Sequence, residues 1–239
     1  MPEAKYKRIL LKISGEALCP PGGSGLDASA VELTANELRP LVDMGVQVGL
    51  VVGGGNILRG RQLKDDPHIR RTTADTMGML ATVMNALALR DSLKGHGIRA
   101  EAMSAIPVTG VIEPFHQSRA VEALEDGKVV IFAGGTGSPF FTTDMCAALR
   151  ARQIDAEALI KATKVDGVFS ADPVDNPAAE RYDRLSYQKV LADRLGVMDL
   201  TAISMCMEGQ LPILVLQLSK TGNLLNAVSG KQVGTLVSE

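Results

Sequence analysis

Residues Val129–Ala151, VVIFAGGTGSPFFTTDMCAALRA, set an apolar β-branched run beside a glycine-rich turn, then a Thr-Thr-Asp and an apolar-periodic segment. A short apolar run bounded by glycine reads as a buried strand over Val129–Phe132, and the period of the following residues as a helix over Asp144–Ala151. Short apolar runs alternate with helical periods on either side. Strands are predicted at Ile9–Ile13, Val46–Val52, Arg99–Met103, Ala158–Lys161 and Ile213–Leu216. Helices are predicted at Ala28–Met44, Ala74–Leu93, Gln117–Leu124, Ser186–Leu195, Asp199–Cys206 and Thr221–Val228, the first capped by Asp27 and kinked by Pro40. Strands separated by helices imply a mostly parallel sheet covered on both faces, with ligands at the carboxyl ends of its strands. Asp166-Gly167 alone reads as a hairpin turn. The helix Ala74–Leu93 carries Met77, Leu80, Met84 and Leu87 on one face and Met79, Val83 and Ala86 on another, so it is either deeply buried or part of a subunit interface.

The 239 residues allow one large or two small domains, and no repeat, low-complexity tract or linker divides them. Hydrophobic residues at 46% and charged residues at 22% exclude disordered and collagen-like classes. With 25 Lys and Arg against 27 Asp and Glu, the net charge of −2 leaves no basic surface for nucleic acid, and 3% aromatics give no base-stacking platform. The three cysteines have no metal or disulfide spacing, which fits reduced thiols in a cytoplasmic chain. The apolar run Ile9–Leu11 after the basic Met1–Arg8 is cut by Lys12, so no signal peptide is expected, and the longest apolar stretch, Gly45–Leu58, is broken by Gln47, Asn56 and glycines. No membrane association is expected.

Walker, Rossmann, zincin and nucleophile-elbow motifs are all missing, and His68, His96 and His116 lie apart from any acidic or cysteine cluster. Three glycine-rich turns follow predicted strands instead. Lys12-Ile13-Ser14-Gly15-Glu16 joins a lysine to a turn whose amides can approach an anion. Gly53-Gly54-Gly55-Asn56 is followed by Arg59 and Arg61, each a fork for a phosphate. Gly134–Asp144 leads into a helix N-terminus, a ready anion site. Each has a plainer reading: a turn is often only a turn, Thr143 or Asp144 serves as an N-cap, the arginines form a solvated face, and Lys161 merely ends a strand. In a parallel sheet, however, these loops converge, bringing Lys12, Arg59 and Lys161 to one crevice. Two unit charges about 4 Å apart repel by about 4 kcal/mol at a dielectric near 20, so a site for two phosphorylated substrates needs several cations. That chemistry is phosphoryl transfer, and an acceptor that is itself a phosphate, ionised at pH 7, needs no general base.

The segments KISGEAL (Lys12–Leu18), GGGNILRG (Gly53–Gly60), DTMGMLATVMN (Asp75–Asn85), MSAIP (Met103–Pro107), GTGSPFFTTD (Gly135–Asp144), KATKVDGVFSAD (Lys161–Asp172) and VMDL (Val197–Leu200) together resemble the bacterial UMP kinases, the pyrimidine nucleotide branch of the amino acid kinase family. The resemblance implies a single α/β domain over residues 1–239, a three-layer αβα sandwich with a monophosphate side over roughly 1–155 and an ATP side over roughly 156–239. It further implies a cytoplasmic homohexamer that converts ATP and UMP to ADP and UDP in pyrimidine nucleotide biosynthesis. Lys12, Ile13, Ser14 and Gly15 would lie at the ATP phosphates, Gly55 and Arg59 between the nucleotides, and Thr163, Phe169 and Asp172 around adenosine. Gly54, Asp75 at the ribose, and the loop Thr136, Gly137, Ser138, Pro139, Phe140, Phe141, Thr142 and Thr143 would hold UMP. Lys161 would face the transferred group and Asp144 would organise the lysines. Mg²⁺ would arrive on ATP, with no protein ligand assigned to it.

Two departures are visible. Ser138 stands where many relatives have Asn, which weakens the side-chain contact there and loosens substrate preference. The resemblance also implies UTP as a feedback inhibitor and GTP as an activator at a basic site, aligned here with Arg90, Lys94, Glu101 and Lys128. A glutamate in an anion site opposes GTP, so weaker or differently placed activation is expected. Two alternatives stay open: an amino acid kinase acting on a carboxylate or carbamate, and a non-catalytic nucleotide sensor. Neither explains GTGSPFFTTD together with Lys161 and Asp144.

Overall fold

The segment Arg8–Ile13 (β1) becomes the central strand because Ile9, Leu10, Leu11 and Ile13 offer apolar groups to both faces at once, and all four are fully buried. The computed structural model describes residues 3–20, 22–58, 68–173, 175–176 and 178–239. After a 3-10 turn at Gly15–Leu18 come the helix Ala28–Asp43 (α1), the strand Gln47–Val52 (β2) and the helix Arg71–Gly95 (α2). Strands Ala100–Ser104 (β3) and Glu113–Pro114 (β4), the helix Gln117–Glu125 (α3), the strand Val129–Ala133 (β5) and the helix Thr143–Gln153 (α4) follow. The remainder holds strands Ala158–Thr163 (β6), Val168–Phe169 (β7), Arg181–Tyr182 (β8) and Arg184–Ser186 (β9), then helices Tyr187–Ala192 (α5) and Leu200–Glu208 (α6). Strand Ile213–Gln217 (β10), helix Asn223–Val228 (α7) and strand Thr235–Ser238 (β11) close it.

One nine-stranded sheet runs in the order β4-β3-β5-β2-β1-β6-β10-β11-β9. Its pairs are parallel except β10 with β11. The period of two along each strand divides the core. Ile9, Leu11, Val48, Leu50, Ile131 and Ile160 pack with Leu38, Leu89, Leu93 and Leu224 from α1, α2 and α7. Leu10, Val51, Phe132, Leu159 and Val215 pack on the other face with Leu124, Ala147, Val190 and Ile203 from α3 to α6. The result is the expected α/β sandwich of three layers.

Several expectations change in detail. The helix α1 runs through Pro40 to Asp43, close to the expected end at Met44. Asp27 caps it as expected, accepting from the Ala30 N–H at 2.9 Å. The Asp166-Gly167 turn is no hairpin: the strands flanking it, β6 and β7, belong to different sheets, and β7 pairs with β8. Tertiary contacts shape it, since Gly167 has φ +127° and a Cβ there would lie 2.7 Å from Thr235 Oγ1. Asp166 meanwhile binds Arg181, Lys220 and Asn223 at 3.1–3.3 Å. On α2, Val83, Ala86, Leu89 and Leu93 face the core, whereas Met77, Leu80 and Met84 are 38%, 43% and 54% exposed. Deep burial on all sides is therefore not its state in the single chain.

Candidate active site

In the β1–β6 register Lys12 lies opposite Lys161. Each is two residues beyond a leucine of the face covered by α4, Leu10 and Leu159, so the two ammonium groups emerge side by side at the carboxyl ends of neighbouring strands. Between them stands Asp144, in the first turn of α4. Lys12 Nζ lies 2.9 Å from its Oδ1 and Lys161 Nζ 2.8 Å from its Oδ2, with side-chain exposures of 10%, 15% and 15% for Lys12, Lys161 and Asp144. The Lys12 contact is ionic and lies off hydrogen-bond geometry, so Oδ1 receives no hydrogen bond among the described residues. Lys161 also donates to the Val197 carbonyl.

Burial works against the charge on Asp144, but Lys12 and Lys161 outweigh it and hold its pKa below the ordinary carboxylate value. For Lys161, burial lowers the pKa, Asp144 opposes the shift and Lys12 reinforces it. The N-cap of α4 is Thr142, whose Oγ1 accepts from the N–H groups of Asp144 and Met145 at 3.1 and 3.2 Å. Thr143 and Asp144 are thus not the cap, and the Asp144 carboxylate is left for the lysines while it also meets the positive end of the helix.

Ile13 is buried and its carbonyl accepts from Gly53 N–H at 3.0 Å, which draws the first two glycine turns together. A Cβ on Gly15 would stand 2.5 Å from Asn56 Oδ1 and 2.6 Å from the Gly53 carbonyl, and one on Gly54 would lie 2.8 Å from the Gly78 carbonyl. Only glycine permits that approach. Ser14 caps the 3-10 turn, accepting from Glu16 N–H at 3.3 Å. Asn56 and Asn85, both buried, exchange amide hydrogen bonds of 2.7 and 3.0 Å, and Asn85 also donates to the Gly53 carbonyl at 2.7 Å.

A cleft of about 300 Å³ is lined by Gly54, Gly55, Asp75, Gly135, Ser138, Phe141, Thr142 and Thr143, joining most of the residues expected at the acceptor. Gly134 N–H, at the root of the loop, donates to Thr82 Oγ1 at 2.8 Å. Thr136 Oγ1 is engaged with Ser138 within the loop. Phe140, with φ +72°, donates its N–H to Asp75 Oδ2 at 2.8 Å, and Arg71 Nε lies 2.9 Å from Asp75 Oδ1. Asp75 is therefore already tied to the loop tip. Phe140 and Phe141 are 65% and 53% exposed, and Ser138 is exposed at the mouth.

A second cleft, about 580 Å³, is lined by Ser14, Glu16, Ala17, Leu33, Thr34, Ala162, Thr163, Lys164, Leu218 and Ser219. Thr163 Oγ1 donates toward the carbonyls of Val165 and Leu216 at 2.6 and 3.1 Å. Phe169, in β7, and Asp172, in the turn after it, are not among its lining residues. Arg59 and Arg61 lie outside the described residues.

Arg90, Lys94, Glu101 and Lys128 do converge, on two adjoining clefts of about 410 and 390 Å³ that share Lys94 and Glu101. There Lys128 Nζ is 2.7 Å from Glu101 Oε1. Sequence reasoning missed Thr82, Asn85, Arg71, Arg150 and Asp199, which accepts a hydrogen bond from the Thr142 hydroxyl. Thr82, Asn85 and Asp199 stood inside quoted segments, but their partners are remote in the chain. Among the described residues, no cluster of three or more His, Cys, Asp or Glu could hold a metal, and no helix is long and apolar enough to cross a membrane.

Replacing the central carboxylate tests this electrostatic account. Asp144→Asn leaves two buried lysines without a counter-charge and is expected to cost about 3–5 kcal/mol at pH 7. The folded pKa lies below the ordinary 3.8, so the stabilisation is present above that value and is lost as pH falls through the folded one. Urea denaturation should show the gap between the two proteins narrowing in acid; a gap independent of pH contradicts the account.

The sequence model of the amino acid kinase family matches residues 7–217. A uridylate kinase of Saccharophagus degradans is 53% identical over 236 residues, spanning 99% of this chain and 95% of that protein. One of Legionella pneumophila is 52% identical with the same coverage. The crystal structure of a UMP kinase from Bacillus anthracis superposes with a TM-score of 0.94 at 38% identity, covering 98% of this chain and 96% of that one. The UMP kinase of Ureaplasma parvum gives 0.91 at 34% identity, covering 98% and 100%. With a family match over most of its length and relatives this similar end to end, the chain belongs to the amino acid kinase family, and within it to the uridylate kinases.

Proposed function

We propose that this protein transfers the γ-phosphoryl group of ATP to UMP, forming ADP and UDP. The observation that carries the reading is the Lys12–Asp144–Lys161 cluster, whose chain neighbours Ser14 and Ala162 line the larger cleft and Thr143 the smaller. ATP is assigned to the larger cleft, built from residues on both sides of the chain's midpoint, and UMP to the smaller, built wholly from residues before 155. Residues 1–239 act in this reading as one domain with its two substrates over neighbouring strand ends.

Lys12, Ser14 and Gly15 are placed at the ATP phosphates and Lys161 at the group in transfer. Gly54, Asp75 and the loop Thr136–Thr143 hold the acceptor. An oxygen of the UMP phosphate attacks the γ-phosphorus as the bond to the ADP oxygen breaks, so the electron pair leaves on ADP. Most of the UMP phosphate is a dianion at pH 7, so no side chain has to remove a proton. What the chain supplies is position and positive charge. Mg²⁺, when carried in on ATP, offsets phosphate charge. Asp144 fits beside it, because its Oδ1, met by Lys12 alone among the described residues, can also accept from a metal-bound water.

Lys161→Ala is expected to lower kcat by about 10²–10³-fold with the fold intact, and Asp75→Ala to raise the KM for UMP more than it lowers kcat. A coupled assay of ADP release settles both, with UMP, CMP, aspartate, carbamate and acetylglutamate offered separately. An unchanged kcat for Lys161→Ala refutes its role, and turnover on an acid instead of UMP refutes the substrate.

We further infer a homohexamer acting in the cytoplasm in pyrimidine nucleotide synthesis, with UTP as feedback inhibitor. The exposed row Met77, Leu80 and Met84 on α2 supports assembly, since an apolar helix face of that kind suits a subunit contact. Sedimentation should give a multiple of 25.3 kDa that falls on Leu80→Glu with Met84→Glu; a monomer at micromolar concentration overturns it. Effector binding by GTP is weakened in this reading, because Glu101 neutralises Lys128 inside the basic clefts. A GTP titration is expected to give little activation, and several-fold activation lost on Arg90→Ala contradicts this.

A further inference from the structure

Arg150, on α4 between Ala148 and Arg152, is 3% exposed and stands outside the lysine–carboxylate cluster. Its guanidinium lies over the Phe115 ring at 3.9 Å from the centroid, and its two terminal nitrogens donate to the Gln153 side chain and to the Gly135 carbonyl, the latter at 3.3 Å. Cys146, one helical turn back, is its other polar neighbour. An amide, a carbonyl, a ring and a thiol meet this cation, and no carboxylate pairs with it among the described residues. Its Nε has no hydrogen-bond partner among the described residues. Burial accordingly disfavours its charge and lowers its pKa. A buried cation without a counter-ion contributes less to stability than an apolar side chain of the same length, so stability does not account for an arginine at this position.

The loop it touches needs a fixed shape. Gly134, Gly135 and Gly137 all have positive φ, at +73°, +58° and +86°, and the Gly134 N–H is already held by Thr82 Oγ1. Arg150 takes the next carbonyl. In a trans peptide the N–H of Thr136 points opposite to the carbonyl of Gly135. Drawing that carbonyl toward α4 turns the N–H away from the helix and sets the orientation of the peptide beside Gly135, which lines the acceptor cleft.

We propose that Arg150 is a positioning residue for the monophosphate acceptor: clamped on Phe115, it fixes the Gly135–Thr136 peptide and with it the shape of the loop wall that Gly135 contributes to the acceptor cleft. The inference rests on the UMP reading and deepens it, because the residue acts on one substrate and not the other.

The test compares Arg150→Met, Arg150→Lys and Phe115→Leu in the full-length protein, by steady-state kinetics in both substrates and by thermal unfolding. Arg150→Met is expected to raise the KM for UMP about tenfold, the scale of one lost charge-assisted hydrogen bond, with the KM for ATP held within about twofold. Its Tm should be unchanged or higher. Arg150→Lys, which keeps the charge but not the planar fork, should fall between it and the native protein. An unchanged KM for UMP, or an equal rise for both substrates, overturns the proposal. Should Arg150→Met fail to fold, Phe115→Leu decides: loosening the clamp raises the KM for UMP alone, whereas two unmoved KM values overturn the proposal. If the native protein transfers nothing to UMP the functional reading itself fails, an outcome distinct from a native enzyme whose Arg150 variants bind UMP normally.

Discussion

Two lysines side by side on adjacent parallel strands repel one another, and nothing in the sheet relieves that except one carboxylate reaching in from a helix. The register that pairs Lys12 with Lys161 is set by the apolar residues before them, because a slip of one residue would put both lysines on the other face. Once the register holds, Asp144 must sit above the strand ends, which fixes where α4 begins. The loop from Gly134 to Thr142 connects β5 to that helix start, so its path follows from the same electrostatic demand. A requirement for charge balance thus carries through to the shape of the acceptor cleft.

Close backbone approach is the second constraint. Gly15 and Gly54 let chain segments meet where a Cβ would collide with a backbone oxygen, Gly53 stands where one would lie 3.0 Å from the Gly15 nitrogen, and the buried Asn56–Asn85 pair locks the meeting point to α2. That pair is fully satisfied, which is what makes two amides tolerable in the interior. It ties the turn after β2, and through the Gly25 carbonyl the chain leading into α1, to the helix that carries Asp75 at the smaller cleft.

Much of this was legible because it rests on local pattern. Buried parallel strands show as apolar runs, and glycine turns at their ends mark where ligands gather, which sufficed for Lys12, Lys161 and the cleft around Gly135. The edge strands β4, β7, β8 and β9 were not legible: they are two or three residues long, and pairing partners rather than periodicity define them. Thr142-Thr143-Asp144 presented three capping residues in a row, and local propensity could not choose among them. The choice is tertiary, since the lysines claim Asp144 and leave Thr142 to cap. Thr82, Asn85, Arg150 and Asp199 belong to the same class, each defined by a partner between 15 and 57 residues away.

The cluster also explains how such a site can exist before its substrates arrive. Burial disfavours the charged form of Lys161, and Lys12 beside it disfavours it further; Asp144 is the main group that opposes this, with Asp199 adding to it. Without the carboxylate, the cheaper state of the empty site would be a neutral lysine or one swung into solvent, and the charge needed for phosphoryl transfer would have to be gathered anew on each turnover. With it, the two lysines are held in place, each within 2.9 Å of a carboxylate oxygen. In the proposed reaction, phosphate oxygens entering the site take over from Asp144 as the counter-charge, so the reorganisation is a change of partner among groups already positioned, which is the preorganisation that electrostatic stabilisation of a transferring phosphoryl group requires.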